Sequence, residues 1–363
     1  MQYRRLSRLS GCARAYVTMG AYWALVVFRS LSRRLPEAAF RRMANAIVFI
    51  GFMLLPAKRA NMYRNLMVVL GGAAGTASPA LVRRARFLAH RSMLSYGEVL
   101  ASFLAVERMV PKVWHDIADT PGLQHLDRVS QAGRGALFVT AHFGHWDMAG
   151  AAVARRCPGK VVVVAETFAN TKLNDLVVGA RKAYGVGVVP MENVRQMARV
   201  LREGKVLGIL ADRPVPGDEG VAVTFFGQET RFPAGTAVLA TLAQCPILVG
   251  SLRRRRDGRF EGVVLPPIEP VRTGNREADI AATMQLVVHH LEEIIRRSPH
   301  QWYMFRSMWP GATTQARTPA SACIRRLVRP WVAAARARRI SRRASVCGST
   351  APLVGVLDGA GDV

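Results

Sequence analysis

The sequence predicts an α/β fold, with a mostly parallel central sheet flanked by helices and a helical N-terminal segment ahead of it. Three observations carry that reading. From about residue 133, six short apolar runs (136–141, 161–165, 186–189, 206–210, 247–251 and 260–265) alternate with helix-like stretches (147–156, 171–184, 192–203 and 234–244). Strands that are apolar at nearly every position are those covered on both faces, as in parallel sheets with helices above and below. Half of the 363 residues are hydrophobic, enough to bury a large core, which excludes a mainly disordered chain.

Near the N-terminus, residues 15–28 (AYVTMGAYWALVVF) lie between Arg14 and Arg29, and residues 46–57 (AIVFIGFMLLPA) precede Lys58-Arg59. Each run is shorter than the roughly 20 residues that cross a bilayer. Short helices rich in aromatic residues and edged by arginine suit the membrane interface. Residues 1–60 are therefore expected to form a membrane-associating helical segment. The first run also reads as an uncleaved signal-like anchor, and a pair of buried core helices is the plainer alternative. Leu9-Ser10-Gly11-Cys12 looks like a lipoprotein cleavage site but lacks the apolar stretch that must precede one.

Residues 61–310 read as the main domain, helical to about 130 and α/β after it. Within the lead-in, 83–103 carries apolar residues at three- and four-residue steps, behind a Gly-rich turn at 71–79. His90 falls in that helix and is expected to be structural or solvated. A last helix, 278–297, precedes Gln301-Trp-Tyr-Met-Phe-Arg306. Residues 311–363 are rich in Ala, Arg, Ser and Thr and are expected to be a basic tail, disordered or a short surface helix.

Charge narrows the partners. Lys and Arg number 51 against 24 Asp and Glu, a formal net charge of +27. Such a field favours anionic lipid, acidic carrier proteins, phosphorylated ligands or nucleic acid. Nucleic acid is the weakest of these, because no helix-turn-helix, zinc or aromatic-rich RNA signature accompanies the charge. The five cysteines (12, 157, 245, 323 and 347) are scattered and lack C-x-x-C spacing, so neither a disulfide framework nor a zinc site is expected.

The residues with most chemistry in them are His142 and Asp147, in Ala141-His-Phe-Gly-His-Trp-Asp147. A base and a carboxylate delivered at the carboxyl end of a buried strand suit deprotonation of a nucleophile. The short H-x-x-x-x-D spacing lets a tight turn fold the carboxylate onto the imidazole. A histidine capping a helix start is the bland alternative. His145 could pair with His142 on a metal, but no further ligand lies nearby, so no metal is expected. No G-x-S-x-G elbow occurs, which weighs against an acyl-enzyme.

A second cluster, Asp212-Arg213, also ends a predicted strand, with Glu219 and Phe225-Phe226-Gly227 following. Arg213 could neutralise a phosphate, and Asp212 or Glu219 could assist the histidine; a surface ion pair leading into a hairpin is equally possible. A third is Arg231-Phe-Pro-Ala-Gly235-Thr236, where a helix start offers backbone N–H groups to an anion or a carbonyl oxygen.

In this order, the segments 141–147, 212–213 with 225–227, 231–236 and 301–306 resemble the lysophospholipid acyltransferase superfamily. The match is nearer to its branch of lipid A biosynthesis and phosphatidylinositol mannoside acyltransferases, over about residues 15–310. The resemblance implies transfer of a fatty acyl group from acyl-CoA or acyl carrier protein to a lipid hydroxyl, at the cytoplasmic face of the bacterial plasma (inner) membrane. It implies no cofactor beyond the donor substrate. By motif match His142 is the base and Asp147 its partner, and Asp212, Arg213, Glu219, Arg231, Gly235 and Thr236 belong to substrate binding. Ala234 and Ala237 stand where glycerophosphate-type members carry Glu and Arg, which favours the glycolipid branch. An apolar groove for the acyl chain is expected near Phe143, Trp146 and Met148, unless these are core. A lipid ester hydrolase using the same His-Asp pair is the competing enzyme. Oligomeric state cannot be read from the sequence.

Overall fold

The computed structural model describes residues 11–71, 78–117, 120–168, 170–213 and 220–309. Glu219, the loop before it, most of the turn at 71–79, Cys323, Cys347 and the whole of 311–363 lie outside the described residues.

Six helices come first: α1 (Gly11–Arg34), α2 (Glu37–Met53), α3 (Pro56–Val69), α4 (Pro79–Leu104), α5 (Val106–Ile117) and α6 (Leu123–Gln131). The alternating part follows as β1 (Ala136–Thr140), α7 (Trp146–Arg156), β2 (Val161–Ala165), α8 (Thr171–Lys182), β3 (Gly187–Pro190), α9 (Val194–Arg202) and β4 (Val206–Leu210). A hairpin, β5 (Val221–Phe225) and β6 (Gln228–Phe232), leads to α10 (Gly235–Ala243), β7 (Ile247–Arg254), β8 (Phe260–Val264) and α11 (Arg276–Arg297). All six strands expected from apolar runs are present, with ends shifted by up to three residues. They form one sheet in the order β3-β2-β4-β1-β7-β8, parallel throughout except for β7 against β8.

Period-two alternation splits the sheet between two cores. Leu137 and Val139 of β1, with Ile247 and Val249 of β7, join α9, α10 and α11 on one face. Ala136 and Phe138, with Leu248, join α6 and α7 on the other. Helix starts are set locally: Ser78, Asn170, Asn193 and Asn275 each accept an N–H from the first turn of the following helix.

The N-terminal helices form a layer on α4, against which α1, α2 and α3 all pack. Helix α3 runs through residue 60, so the layer passes into the lead-in without a break. Among the described residues no single helix is long and apolar enough to cross a membrane, while α2 and α3 pass that measure together but bend by 98° between Met53 and Pro56. This layer carries large apolar side chains in the open: Trp23 on α1, Ile47 and Ile50 on α2, Leu54 and Leu55 at the bend, Phe87 and Leu94 on α4.

A buried amide ties the layer to the end of the domain. Asn65 of α3 donates to the carbonyls of Met304 (3.0 Å) and Arg306 (2.7 Å) and accepts from Met308 N–H (3.2 Å). One turn away, Asn61 donates to the Phe305 carbonyl at 3.2 Å.

Candidate active site

Strand register builds the site. In the β1–β4 pair Thr140 stands opposite Leu210, and the parallel run continues as Ala211 N–H donates to Thr140 O at 3.0 Å. His142 and Asp212 each follow their strand end by two residues, so they emerge side by side at the carboxyl edge. His142 Nδ1 lies 2.7 Å from Asp212 Oδ1, and His142 backbone N–H donates to Asp212 Oδ2 at 2.9 Å. The indole N–H of Trp302 donates to that same Oδ2 at 2.9 Å. Asp212 is fully buried. Burial alone would raise its pKa, but the His142 imidazole and these hydrogen bonds hold it below the ordinary aspartate value. An ionised carboxylate on Nδ1 favours the tautomer with the imidazole proton there and leaves a lone pair on Nε2.

The turn after β1 needs its glycine. Gly144 has φ +58, and a Cβ there would sit 2.0 Å from the Leu252 carbonyl oxygen, closer than any side chain permits. The turn is pinned from both sides: His145 N–H donates to Leu252 O (2.7 Å) and Gly144 N–H to Gln301 O (2.9 Å). Tyr303 N–H donates to the His142 carbonyl at 2.8 Å, which lays residues 301–303 alongside 142–144 and delivers Trp302 to Asp212.

Trp302 is itself buttressed. Phe225 and Phe226 pack against it at 5.7 and 6.4 Å between ring centroids, and Trp309 at 6.4 Å. Phe226 and Gly227 form the β5–β6 turn with φ 51 and 74, a left-handed pair typical of two-residue hairpins. Phenylalanine is strained there; Glu292 accepts its N–H and the Arg296 guanidinium lies 4.8 Å over its ring. The Phe-Phe-Gly motif thus supports the tryptophan.

Asp147 departs from the expected contact. It lies in the first turn of α7 and its carboxylate accepts from Arg181 Nε of α8 at 2.9 Å; the carboxylate on His142 is that of Asp212. The turn at Gly144 sets α7 so that Asp147 faces α8, with both side chains of the pair mostly buried. Arg213, beside Asp212, pairs with Glu166 past the end of β2. Burial and then the neighbouring Arg306 pull its pKa below the ordinary arginine value. Tyr96 lies in the fields of Arg213 and Asp147 and against the Tyr303 ring at 5.1 Å.

The other expected residues scatter. Arg231 donates to Gly220 O at 3.1 Å within the hairpin. Gly235 and Thr236 open α10, which runs back to the amino end of β7, so its N-terminus faces the carboxyl edge. None of these three hydrogen-bonds to His142 or Asp212 among the described residues. His145 is buried with both ring nitrogens unpartnered among the described residues, its ring edge-on to Phe260 at 5.0 Å. Phe143 and Met148 are core side chains, while Trp146 is half-buried against His142 at 5.7 Å between centroids. Sequence reasoning gave no role to Glu166 or Arg181 and none to Trp302, which it quoted only within the 301–306 segment; it offered Asp212, at a predicted strand end like His142, as one of two acids that could assist the histidine.

The model of the bacterial lipid A biosynthesis acyltransferase family matches residues 12–310. The chain belongs to that family. It is also similar to phosphatidylinositol mannoside acyltransferase of Mycobacterium tuberculosis, 30% identical over 201 residues, which cover 54% of this chain and 61% of that protein. The relative of the same name from Mycolicibacterium smegmatis is 28% identical over 196 residues, 53% of this chain and 62% of the relative. The chain therefore spans under two thirds of the length of these relatives. The family match embraces His142, Asp212 and Trp302 together, and with them the helical layer from α1 onward.

Proposed function

We propose that this protein is an acyltransferase that moves a fatty acyl group from a thioester donor, acyl-CoA or acyl carrier protein, to a hydroxyl of a glycolipid or phospholipid. The observation that carries the reading is the buried Asp212 carboxylate, which holds His142 through Nδ1 and leaves Nε2 to act as the base. Nε2 takes the proton of the acceptor hydroxyl as its oxygen attacks the thioester carbonyl. The tetrahedral adduct collapses with cleavage of the C–S bond, and the imidazolium returns the proton to the departing thiolate. A thioester is already activated, so no protein nucleophile is needed. The start of α10, with Gly235 and Thr236, is the candidate donor to the oxyanion. Asp147 serves as a positioning residue: its pair with Arg181 fixes α7, and hence the turn that carries His142. Arg213 and Arg306 supply positive charge for a phosphate on the acceptor.

The names of the mycobacterial relatives support a mannosylated phosphatidylinositol or a lipid A-like glycolipid as acceptor. The open apolar side chains of α1, α2 and α4, together with the net charge of +27, support docking of the helical layer on anionic lipid at the cytoplasmic face of the plasma membrane.

The test is incubation of the purified protein with acyl-CoA or acyl carrier protein and a glycolipid acceptor, with thiol release and lipid products followed together. Acylated acceptor from the wild type, and none from His142→Ala, is expected. Free fatty acid without acylated acceptor would make the protein a hydrolase and overturn the proposal.

A further inference from the structure

The turn between β7 and β8 concentrates arginine. Residues 253–256 and 259 are all arginine. Arg253 pairs with Glu261 (2.7 Å), Arg254 with Glu98 (3.6 Å) and Arg255 with Asp257 (3.4 Å). Arg256 and Arg259 have no carboxylate partner among the described residues, and both are exposed. They line a polar cavity of about 450 Å³, between the turn, the start of α2 and one side of α5, whose other cations are Arg41 and Arg254.

Three carboxylates also line the cavity, Glu37, Asp116 and Asp257, and each has a partner. Asp116 accepts the Phe260 N–H at 3.0 Å, and Asp257 accepts the Arg259 N–H at 3.0 Å as well as facing Arg255. Among the described residues Arg41 pairs with Glu98, at 3.9 Å, which also faces Arg254.

The turn that walls the cavity is tied to the candidate active site. The Gln301 side chain accepts from Arg254 N–H (3.0 Å) and donates to Arg254 O (2.7 Å), locking the base of the turn to the segment that carries Trp302. Phe260, which walls the cavity, packs on His145 of the catalytic turn.

We propose that this cavity receives the phosphorylated nucleotide of an acyl-CoA donor, with Arg41, Arg256 and Arg259 on its phosphates. The inference rests on the acyltransferase reading above and adds to it the donor and its place. Guanidinium groups suit phosphate because they present paired N–H donors to its oxygens. A concave site of this volume fits a small molecule. A carrier protein would need a far larger contact, about 800 Å² on each partner.

The test compares acyl-CoA with acyl-pantetheine, which lacks the nucleotide, in the wild type and in the full chain carrying Arg256→Glu and Arg259→Glu. Expected is a fall of about tenfold or more in the preference for acyl-CoA over acyl-pantetheine, measured as the ratio of kcat/KM values. Adenosine 3′,5′-bisphosphate should compete with acyl-CoA in the wild type and lose potency in the variant. An unchanged ratio overturns the proposal, as does a loss seen only with acyl carrier protein or only as weaker binding to anionic vesicles. If the wild type transfers from no donor, the acyltransferase reading fails; calorimetric binding of the bisphosphate to wild type and variant then tests the cavity by itself.

Discussion

Trp302 donates its indole N–H to the oxygen of Asp212 that also receives the backbone N–H of His142, at 2.9 Å in each case. Oδ2 is thereby saturated and Oδ1 is directed at the imidazole. The carboxylate can neither rotate nor take up a proton easily.

Asp212→Asn should keep the shape of the site and lose the charge that stabilises an imidazolium. A fall in kcat on the order of 10²- to 10⁴-fold is expected, with KM little changed. Steady-state kinetics with a saturating acceptor checks it, and near-normal turnover would mean that the His142–Asp212 contact is merely structural.

Trp302→Phe keeps the aromatic packing on Phe225 and removes one donor from Asp212. The lowered folded pKa of Asp212 contributes stability that is present above its unfolded value, 3.8, and lost as pH falls below it. Without the indole N–H the folded pKa moves up toward 3.8, so the acid loss should be smaller and be complete at a higher pH. Thermal melts across the acid range would reveal the shift, and superimposable profiles would count against it.

Removing one partner of the Asp147–Arg181 pair strands the other in a mostly buried place. Asp147→Asn should cost about 3 kcal/mol or more of stability, and Arg181→Met in the same chain should recover part of it. Denaturant titrations of the single and double variants give the coupling energy. Additive losses would show that the two residues do not act as a unit.

His145 gives a pH dependence of its own. Burial, and then Arg254, hold its pKa at about 3, against an ordinary value of 6.5. The unfolded chain therefore binds a proton that the folded chain refuses. This contribution to stability is complete above pH 6.5 and is lost as pH falls toward 3, by at most about 1.4 kcal/mol per pH unit. His145→Phe should flatten the fall in Tm between neutral and mildly acid pH.

Among the described residues, the bend between α2 and α3 is the most open apolar point of the helical layer, with Leu54 74% exposed. Leu54→Glu with Leu55→Glu should weaken co-sedimentation with anionic vesicles about tenfold or more. Unaltered sedimentation would place membrane contact elsewhere.

The alternating architecture was legible because each buried strand is a continuous apolar run, and helices such as α11 carry their own caps. Strand order was not, because adjacency of β1 and β4 depends on contacts some 70 residues apart in the chain. For the same reason sequence proximity favoured Asp147, five residues from His142, over Asp212, which only the sheet brings to it. Phe143 and Met148 illustrate a different limit: an apolar residue beside a catalytic histidine reads alike whether it lines a groove or fills the core.

The Asn65 clamp bears on how this protein can be handled. Trimming the first seventy residues to gain solubility would delete the amide that holds Met304, Arg306 and Met308. The freed backbone groups would have to find water, and the strip that delivers the Trp302 indole would lose its mooring two residues away. A shortened chain that stays in solution yet turns over nothing would be the signature of that lost tether, with His142 itself intact.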